Sequence, residues 1–207
     1  MKRAGHALLL AAIVLFVLSC AGFWWLARNP FPLILSLPVL AYLLFYSYTK
    51  RFTRWSHFVL GSAIALSPPA AWLAIHPASF GWPVLILTAS VTLWIGGFDI
   101  IYACQDIDFD RREGLYSAPA RYGPRRALRL SSICHALTTL LLIALGLMMN
   151  LGWVYALGVL LTAGLLAYEH HLVRPDDFSR LDTAFFNINS VISVCLFAST
   201  LIALWIA

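Results

Sequence analysis

Seven apolar runs, separated by short polar gaps, divide the chain at roughly 7–27, 31–48, 57–75, 82–103, 127–149, 152–173 and 184–206. A helix needs about 20 apolar residues to cross the hydrocarbon core of a bilayer. Inside lipid the backbone must satisfy its own polar groups, and a helix does so within one segment. The pattern therefore predicts an all-α, polytopic membrane bundle of about seven helices. The gaps leave no room for a separate soluble domain, so residues 1–207 read as a single membrane-embedded domain.

Composition agrees with the pattern. The chain is 61% hydrophobic and only 11% charged, with a mean hydropathy of +0.83, which excludes an ordinary soluble domain. The net charge of +5 carries a topological signal. With the N-terminus placed in the cytoplasm, thirteen of the fourteen Lys and Arg residues fall in inside segments, and only Arg28 lies outside. Basic residues concentrate in the short cytoplasmic loops of membrane proteins. The expected arrangement is an integral protein of the inner (cytoplasmic) membrane, N-terminus in and C-terminus out, with the 102–126 segment on the cytoplasmic side. Nucleic acid is excluded as a partner, because the basic residues flank bilayer spans instead of forming an aqueous face.

The first run follows Lys2 and Arg3, as in a signal peptide, but "FWWLARNPFP" succeeds it in place of a small-residue cleavage site. It reads as a retained helix. Cys20, Cys104, Cys134 and Cys195 show no CxxC spacing and read as small packing residues. His135, His170 and His171 lack the spacing of a zinc site.

The acids are more informative. All nine lie in two zones: Asp99, Asp106, Asp108, Asp110 and Glu113, then Glu169, Asp176, Asp177 and Asp182. In "RPDDFSR", Asp176 and Asp177 suit a solvated turn with a helix cap. The first zone resists that explanation. Asp99 lies inside an apolar span, where an ionisable group usually faces the bundle interior. If the helix continues, Asp99, Tyr102, Asp106 and Asp110 follow steps of three or four and form one stripe. Two like charges at i, i+4 repel, and a cation between them relieves the repulsion. Magnesium takes oxygen ligands, often one or two carboxylates plus substrate phosphates. Asp108 points away from the stripe. On the same predicted side, "YSYTKRFTRWSH" supplies Tyr46, Lys50 and Arg51, and "SAPARYG" supplies Arg121. Topology alone would account for Lys50 and Arg51. Acids for a metal beside cations for oxyanions suggest a diphosphate site.

"YACQDIDFDRREGLYSAPARYG" resembles the second aspartate-rich motif of the UbiA-type intramembrane prenyltransferases: a DxxxD pair, Asp106 and Asp110, followed by a Gly-x-x-Ser stretch, Gly114 to Ser117. "YSYTK" resembles the family's YxxxK element, Tyr46 and Lys50. With "GFDIIYACQD" and "YEHHLVRPDD", the chain is most similar to the 4-hydroxybenzoate polyprenyltransferase-like group of menaquinone and ubiquinone biosynthesis. The resemblance implies a helical bundle around a cavity open to lipid, and magnesium-dependent transfer of a polyprenyl group from a prenyl diphosphate to an aromatic acid. It implies that Asp106 and Asp110 hold metal, and that Lys50, Arg51 and Arg121 contact diphosphate, with Arg111 and Arg112 as further candidates. Tyr46, Tyr102 and Gln105 would shape the site.

The family's first aspartate-rich motif is absent, since no acid precedes Asp99. Seven spans against the family's nine point the same way, to a member lacking its first two helices. Two other classes compete. A non-catalytic family member would keep the fold and lipid affinity. An ion-coupled transporter using Asp99 and Asp106 would show an internal repeat or paired broken helices, and the sequence contains neither. A CDP-alcohol phosphotransferase would need a DGxxAR-type element, which "DRREGLYSAPAR" does not supply.

Overall fold

The structure is a computed structural model that describes residues 2–181 and 183–206, so Asp182 of the second acidic zone lies outside the described residues. Its helices are α1 (Lys2–Ala27), α2 (Phe31–Tyr46), α3 (Ser56–Ile64), α4 (Ser67–Ile75), α5 (Trp82–Tyr102), α6 (Ile107–Arg112), α7 (Ala118–Tyr122), α8 (Pro124–Met148), α9 (Gly152–Leu172) and α10 (Asn189–Ile206). Among the described residues, six helical segments are long and apolar enough to cross a membrane: 5–27, 56–75, 82–112, 124–148, 152–172 and 186–206. The polytopic helical bundle expected from the sequence is what forms.

The expected second span, 31–48, is shorter than a full crossing. α2 has 16 residues, about 24 Å at 1.5 Å per residue against a hydrocarbon core of about 30 Å. Pro30 and Pro32 fix its start, and at its other end the chain tightens into a 3₁₀ turn, Thr49–Arg51, that carries the first polar cluster. The third span is broken. Pro68 and Pro69 bring no N–H to bond Ile64 and Ala65 and would clash with those carbonyls in a continuous helix. The chain turns at Ala65–Leu66, and the Ser67 hydroxyl donates to the Ile64 carbonyl at 3.0 Å, giving α3 and α4.

The principal packing runs in single file: α1 on α2, α2 on α3 and α4, α3 on α5, α5 on α8, α8 on α9 and α9 on α10. α5 is central, with α3 on one flank and α8 on the other. Lipid tails are as apolar as Leu, so close approach and polar contacts must hold these helices together. Both are present. A Cβ at Gly61 would collide with the Thr92 carbonyl, and one at Gly97 would stand 2.6 Å from the His135 ring. Between α5 and α8 the polar contacts form an antiparallel ladder. Ser90 and Thr138 exchange hydroxyl-to-carbonyl bonds (3.4 and 3.3 Å), His135 Nε2–H donates to the Trp94 carbonyl (3.2 Å), and the Ser131 hydroxyl donates to the Gly97 carbonyl (2.7 Å). Each step of three or four residues down α5 is matched by three or four up α8.

One apolar core closes the end of the bundle that carries the charged loops. It joins Ile100, Ile101 and Cys104 of α5 and the following turn, Ala118 of α7, Ala127 and Leu128 of α8, and Val173 and Leu181 beyond α9. The segments 47–55, 103–123 and 173–181 therefore meet at one end. At the turn after α9, Asp177 accepts the Ser179 N–H at 2.9 Å, and Asp176 pairs with Arg125 at 3.4 Å.

Candidate functional site

The charged loops converge on one contact. Lys50 sits in the 3₁₀ turn after α2, with its carbonyl accepting the Tyr116 N–H at 2.6 Å. The same turn is fixed from below by Thr49, whose buried hydroxyl donates to the Tyr46 carbonyl at 2.5 Å. Lys50 Nζ lies 3.7 Å from Asp110 Oδ2. Asp110 is 1% exposed, and this oxygen accepts no hydrogen bond among the described residues. A buried carboxylate oxygen without a donor is costly, and here the compensation is a cation just outside hydrogen-bonding distance. The Lys50 side chain remains 35% exposed, so the pair opens toward the loop end of the bundle.

The expected stripe is corrected by the backbone. α5 ends at Tyr102, residues Ala103–Asp106 form a 3₁₀ turn, and Asp106 is the N-cap of the six-residue α6. A 3₁₀ turn advances about 120° per residue against 100° for an α-helix, so four such residues rotate α6 by about 80° relative to a continuous helix. Asp99 and Tyr102 therefore do not share a face with Asp110. Asp106 and Asp110 remain i, i+4 at the start of α6, but with different environments: Asp110 is buried, whereas Asp106 is half-buried and forms no ion pair among the described residues. Among the described residues no three His, Cys, Asp or Glu side chains converge as a metal cluster. The donor set is two carboxylates, one with an orphaned oxygen. That suits a hard divalent cation whose other ligands come from phosphate oxygens and water.

The other expected residues are distributed around this point. Tyr46 and Tyr102 are half-buried, and Gln105 is exposed. Arg51 is exposed, its guanidinium carbon 5.3 Å from the Tyr48 ring centroid. Arg111 Nε donates to the Ala120 carbonyl at 3.3 Å, and Arg112 is exposed. Arg121 lines a pocket of about 400 Å³ with Phe52, Thr53, Arg54, Trp55 and Tyr116, and neither Lys50 nor Asp110 lines it.

Two constellations were not foreseen from the sequence. His57, fully buried on α3, has Nδ1 2.6 Å from Asp99 Oδ2, and its Nε2 accepts the Ala118 N–H at 3.0 Å. A backbone N–H only donates, so Nε2 is the unprotonated nitrogen and Nδ1–H donates to Asp99. His57 thus ties α3, α5 and the start of α7 together. The signal was Asp99 itself: an acid one turn from the end of an apolar span needs a partner at the same depth, and His57 opens the neighbouring span. The second constellation lies on the far flank of α5. His135 and His170, scattered in sequence, approach to 3.0 Å. Since His135 Nε2–H serves the Trp94 carbonyl, its Nδ1 accepts from His170 Nε2–H. Beside them Glu169 is fully buried, and neither of its carboxyl oxygens has a hydrogen-bond partner among the described residues.

The profile of the UbiA prenyltransferase family matches residues 3–191. The chain is 33% identical over 200 residues to a 4-hydroxybenzoate octaprenyltransferase of Vibrio cholerae serotype O1, covering 94% of this chain and 68% of that protein. A 4-hydroxybenzoate octaprenyltransferase of Chromohalobacter salexigens is 33% identical over 173 residues, covering 83% of this chain and 57% of the relative. Among solved structures, the apo structure of a UbiA homolog from Aeropyrum pernix K1 superposes with a TM-score of 0.83 at 30% identity, over 99% of this chain and 74% of that one. Sequence and fold agree along almost the whole length, and the chain belongs to the UbiA prenyltransferase family.

Proposed function

We propose that this protein transfers a polyprenyl group from a prenyl diphosphate to an aromatic acid of the 4-hydroxybenzoate type, a step of quinone biosynthesis. The observation that carries the assignment to particular residues is the Lys50–Asp110 contact, with its orphaned carboxylate oxygen, at the loop end of a UbiA-family bundle. Asp106 and Asp110 would hold magnesium, and the bound ion would neutralise charge on the diphosphate oxygens. Lys50 binds the same oxyanion as a point charge, with Arg51 beside it.

In the reaction the allylic carbon–oxygen bond breaks and its electron pair leaves with diphosphate. The allylic fragment gains cationic character, and a carbon of the electron-rich ring donates a pair to form the new carbon–carbon bond. The ring then loses a proton and regains aromaticity. Lys50 gives electrostatic stabilisation where negative charge grows. The lipid-facing bundle accommodates the isoprenoid tail, and its apolar walls keep water from the cation. The loop-end site lies on the cytoplasmic face of the inner membrane, as the distribution of basic residues supports.

A second reading, a non-catalytic member that keeps the fold, is favoured by one observation: residues 1–98 contain no Asp or Glu and so add no carboxylate to Asp106 and Asp110. Turnover separates the two. Purified protein in lipid nanodiscs with radiolabelled prenyl diphosphate, 4-hydroxybenzoate and magnesium should yield prenylated acid and diphosphate, and chelation should abolish the product. Donor binding without product at saturating acceptor would support the non-catalytic reading.

A further inference from the structure

The pocket beside the Lys50–Asp110 site holds two cations with no carboxylate partner. Arg54 and Arg121 both line it, and among the described residues neither forms an ion pair with an acid. Like charges facing one cavity repel, and an anion between them removes the repulsion. Aromatic rings hold the Arg54 guanidinium, and the anchoring of α7 fixes the backbone from which Arg121 projects. The Arg54 guanidinium carbon lies 5.6 Å from the Trp55 ring centroid and 5.4 Å from that of Tyr122, an attraction that consumes none of its five N–H donors. Arg121 ends α7, whose N-cap Ser117 accepts the Ala120 N–H at 3.3 Å and whose first residue, Ala118, is fastened to His57.

The remaining walls are Phe52, Trp55, Tyr116 and the Thr53 hydroxyl. Two cations and a hydroxyl surrounded by three aromatic rings suit a flat aromatic carboxylate. A lipid phosphate would use the cations and leave the rings idle. At about 400 Å³ the pocket falls within the usual range for small-molecule sites. It also adjoins the donor site, because Tyr116, which lines the pocket, donates its backbone N–H to the Lys50 carbonyl.

We propose that this pocket is the acceptor's carboxylate subsite: Arg54 and Arg121 grip the carboxylate of an aromatic acid, whose ring packs against Trp55 and Tyr116. This rests on the aromatic-acid reading above and moves Arg121 from the donor diphosphate to the acceptor. Arg54, which topology alone would explain, becomes a specificity-determining residue.

The test is equilibrium binding of radiolabelled 4-hydroxybenzoate to the 207-residue chain in nanodiscs, for the wild type, Arg54→Gln, Arg121→Gln and Arg121→Lys, with melting curves to confirm folding. Each Gln variant should bind about tenfold more weakly or worse, as loss of a charge-assisted hydrogen bond predicts. Arg121→Lys should recover part of the loss, and the methyl ester of the acid should compete poorly. Affinity for a non-hydrolysable prenyl diphosphate analogue should change little in both Gln variants. Acid binding that ignores both arginines overturns the subsite while leaving the aromatic-acid reading intact. Arg-dependent binding of glycerol 1-phosphate in preference to the aromatic acid overturns it in favour of a lipid headgroup. Loss of donor affinity alone in Arg121→Gln returns that residue to the diphosphate. Failure of the wild type to bind any anion also overturns it, and the turnover assay judges the aromatic-acid reading separately.

Discussion

His57 Nδ1 and Asp99 Oδ2 stand 2.6 Å apart across the α3–α5 interface, and the opposite nitrogen of the same ring holds the N–H of Ala118. One fully buried side chain thus links an acid inside the bundle to the first residue of α7, where the strap from α6 ends. Through Tyr116 and Ser117 that strap also braces Lys50 and caps α7.

His57→Ala should free the strap. It leaves the buried Ala118 N–H without an acceptor and Asp99 without its donor, at about 1–3 kcal/mol for each orphaned group. The expected outcome is a lower melting temperature with faster proteolysis within residues 113–121. His57→Asn, which can still donate to Asp99, should be milder. Equal melting temperatures and equal proteolysis for wild type and His57→Ala would show that the strap is anchored elsewhere.

Asp110→Asn and Asp106→Asn should each cost about a hundredfold or more in turnover, the scale of losing a metal contact at a transferring phosphate. Asp108→Asn, at an exposed position of α6, should stay near wild type. The comparison is made by steady-state kinetics over a magnesium titration. A loss at Asp108 as large as at Asp110 would contradict the observed placement of the α6 side chains.

Gly97→Ala should destabilise the bundle, because the new methyl meets the His135 ring at 2.6 Å and overpacking of this kind costs about 1–3 kcal/mol. Gly164→Ala has nothing within 4 Å and should stabilise α9 by up to about 1 kcal/mol through helix propensity. Denaturant unfolding in mixed micelles, run on both variants, checks the opposite signs.

Single cysteines at Arg51, Glu113 and Asp176, in a background without the four native cysteines, should react with an impermeant maleimide from the same side of inverted vesicles. One at Trp153, at the far end of the bundle, should react only from the other side. Labelling of position 113 together with 153 would refute the arrangement drawn from the basic residues.

Six of the membrane helices were legible because a run of about 20 apolar residues has few other stable fates. The shortness of α2 was not, because the side chains of Ser47 and Tyr48 do not mark where the helix stops at Tyr46. Asp106 and Asp110 could be singled out by position, but the stripe leading to them assumed continuous α-helix through Ala103–Asp106. The twist there accompanies contacts far away in the chain, Asp110 with Lys50 and Tyr116 with the same residue. The His57–Asp99 and His135–His170 pairs are separated by 42 and 35 residues. No periodicity encodes such meetings. They arise from which helix lies beside which, and that is set by the closeness Gly61 and Gly97 permit.

The α5–α8 ladder has a consequence for how the protein meets membranes of different thickness. Three rungs in fixed stagger cannot slide: a slip of one turn, about 5.4 Å, would mispair Ser90, Trp94 and Gly97 with all of their partners at once. The two helices therefore keep a constant height relative to each other, and the acids just beyond α5 stay at one depth beneath the headgroups. Mismatch between protein and bilayer has to be absorbed elsewhere, by tilt or local thinning, and the candidates are the short α2 and the broken α3–α4 segment. Those elements bracket the turn that bears Lys50, so a change in lipid thickness would move the cation against a stationary carboxylate.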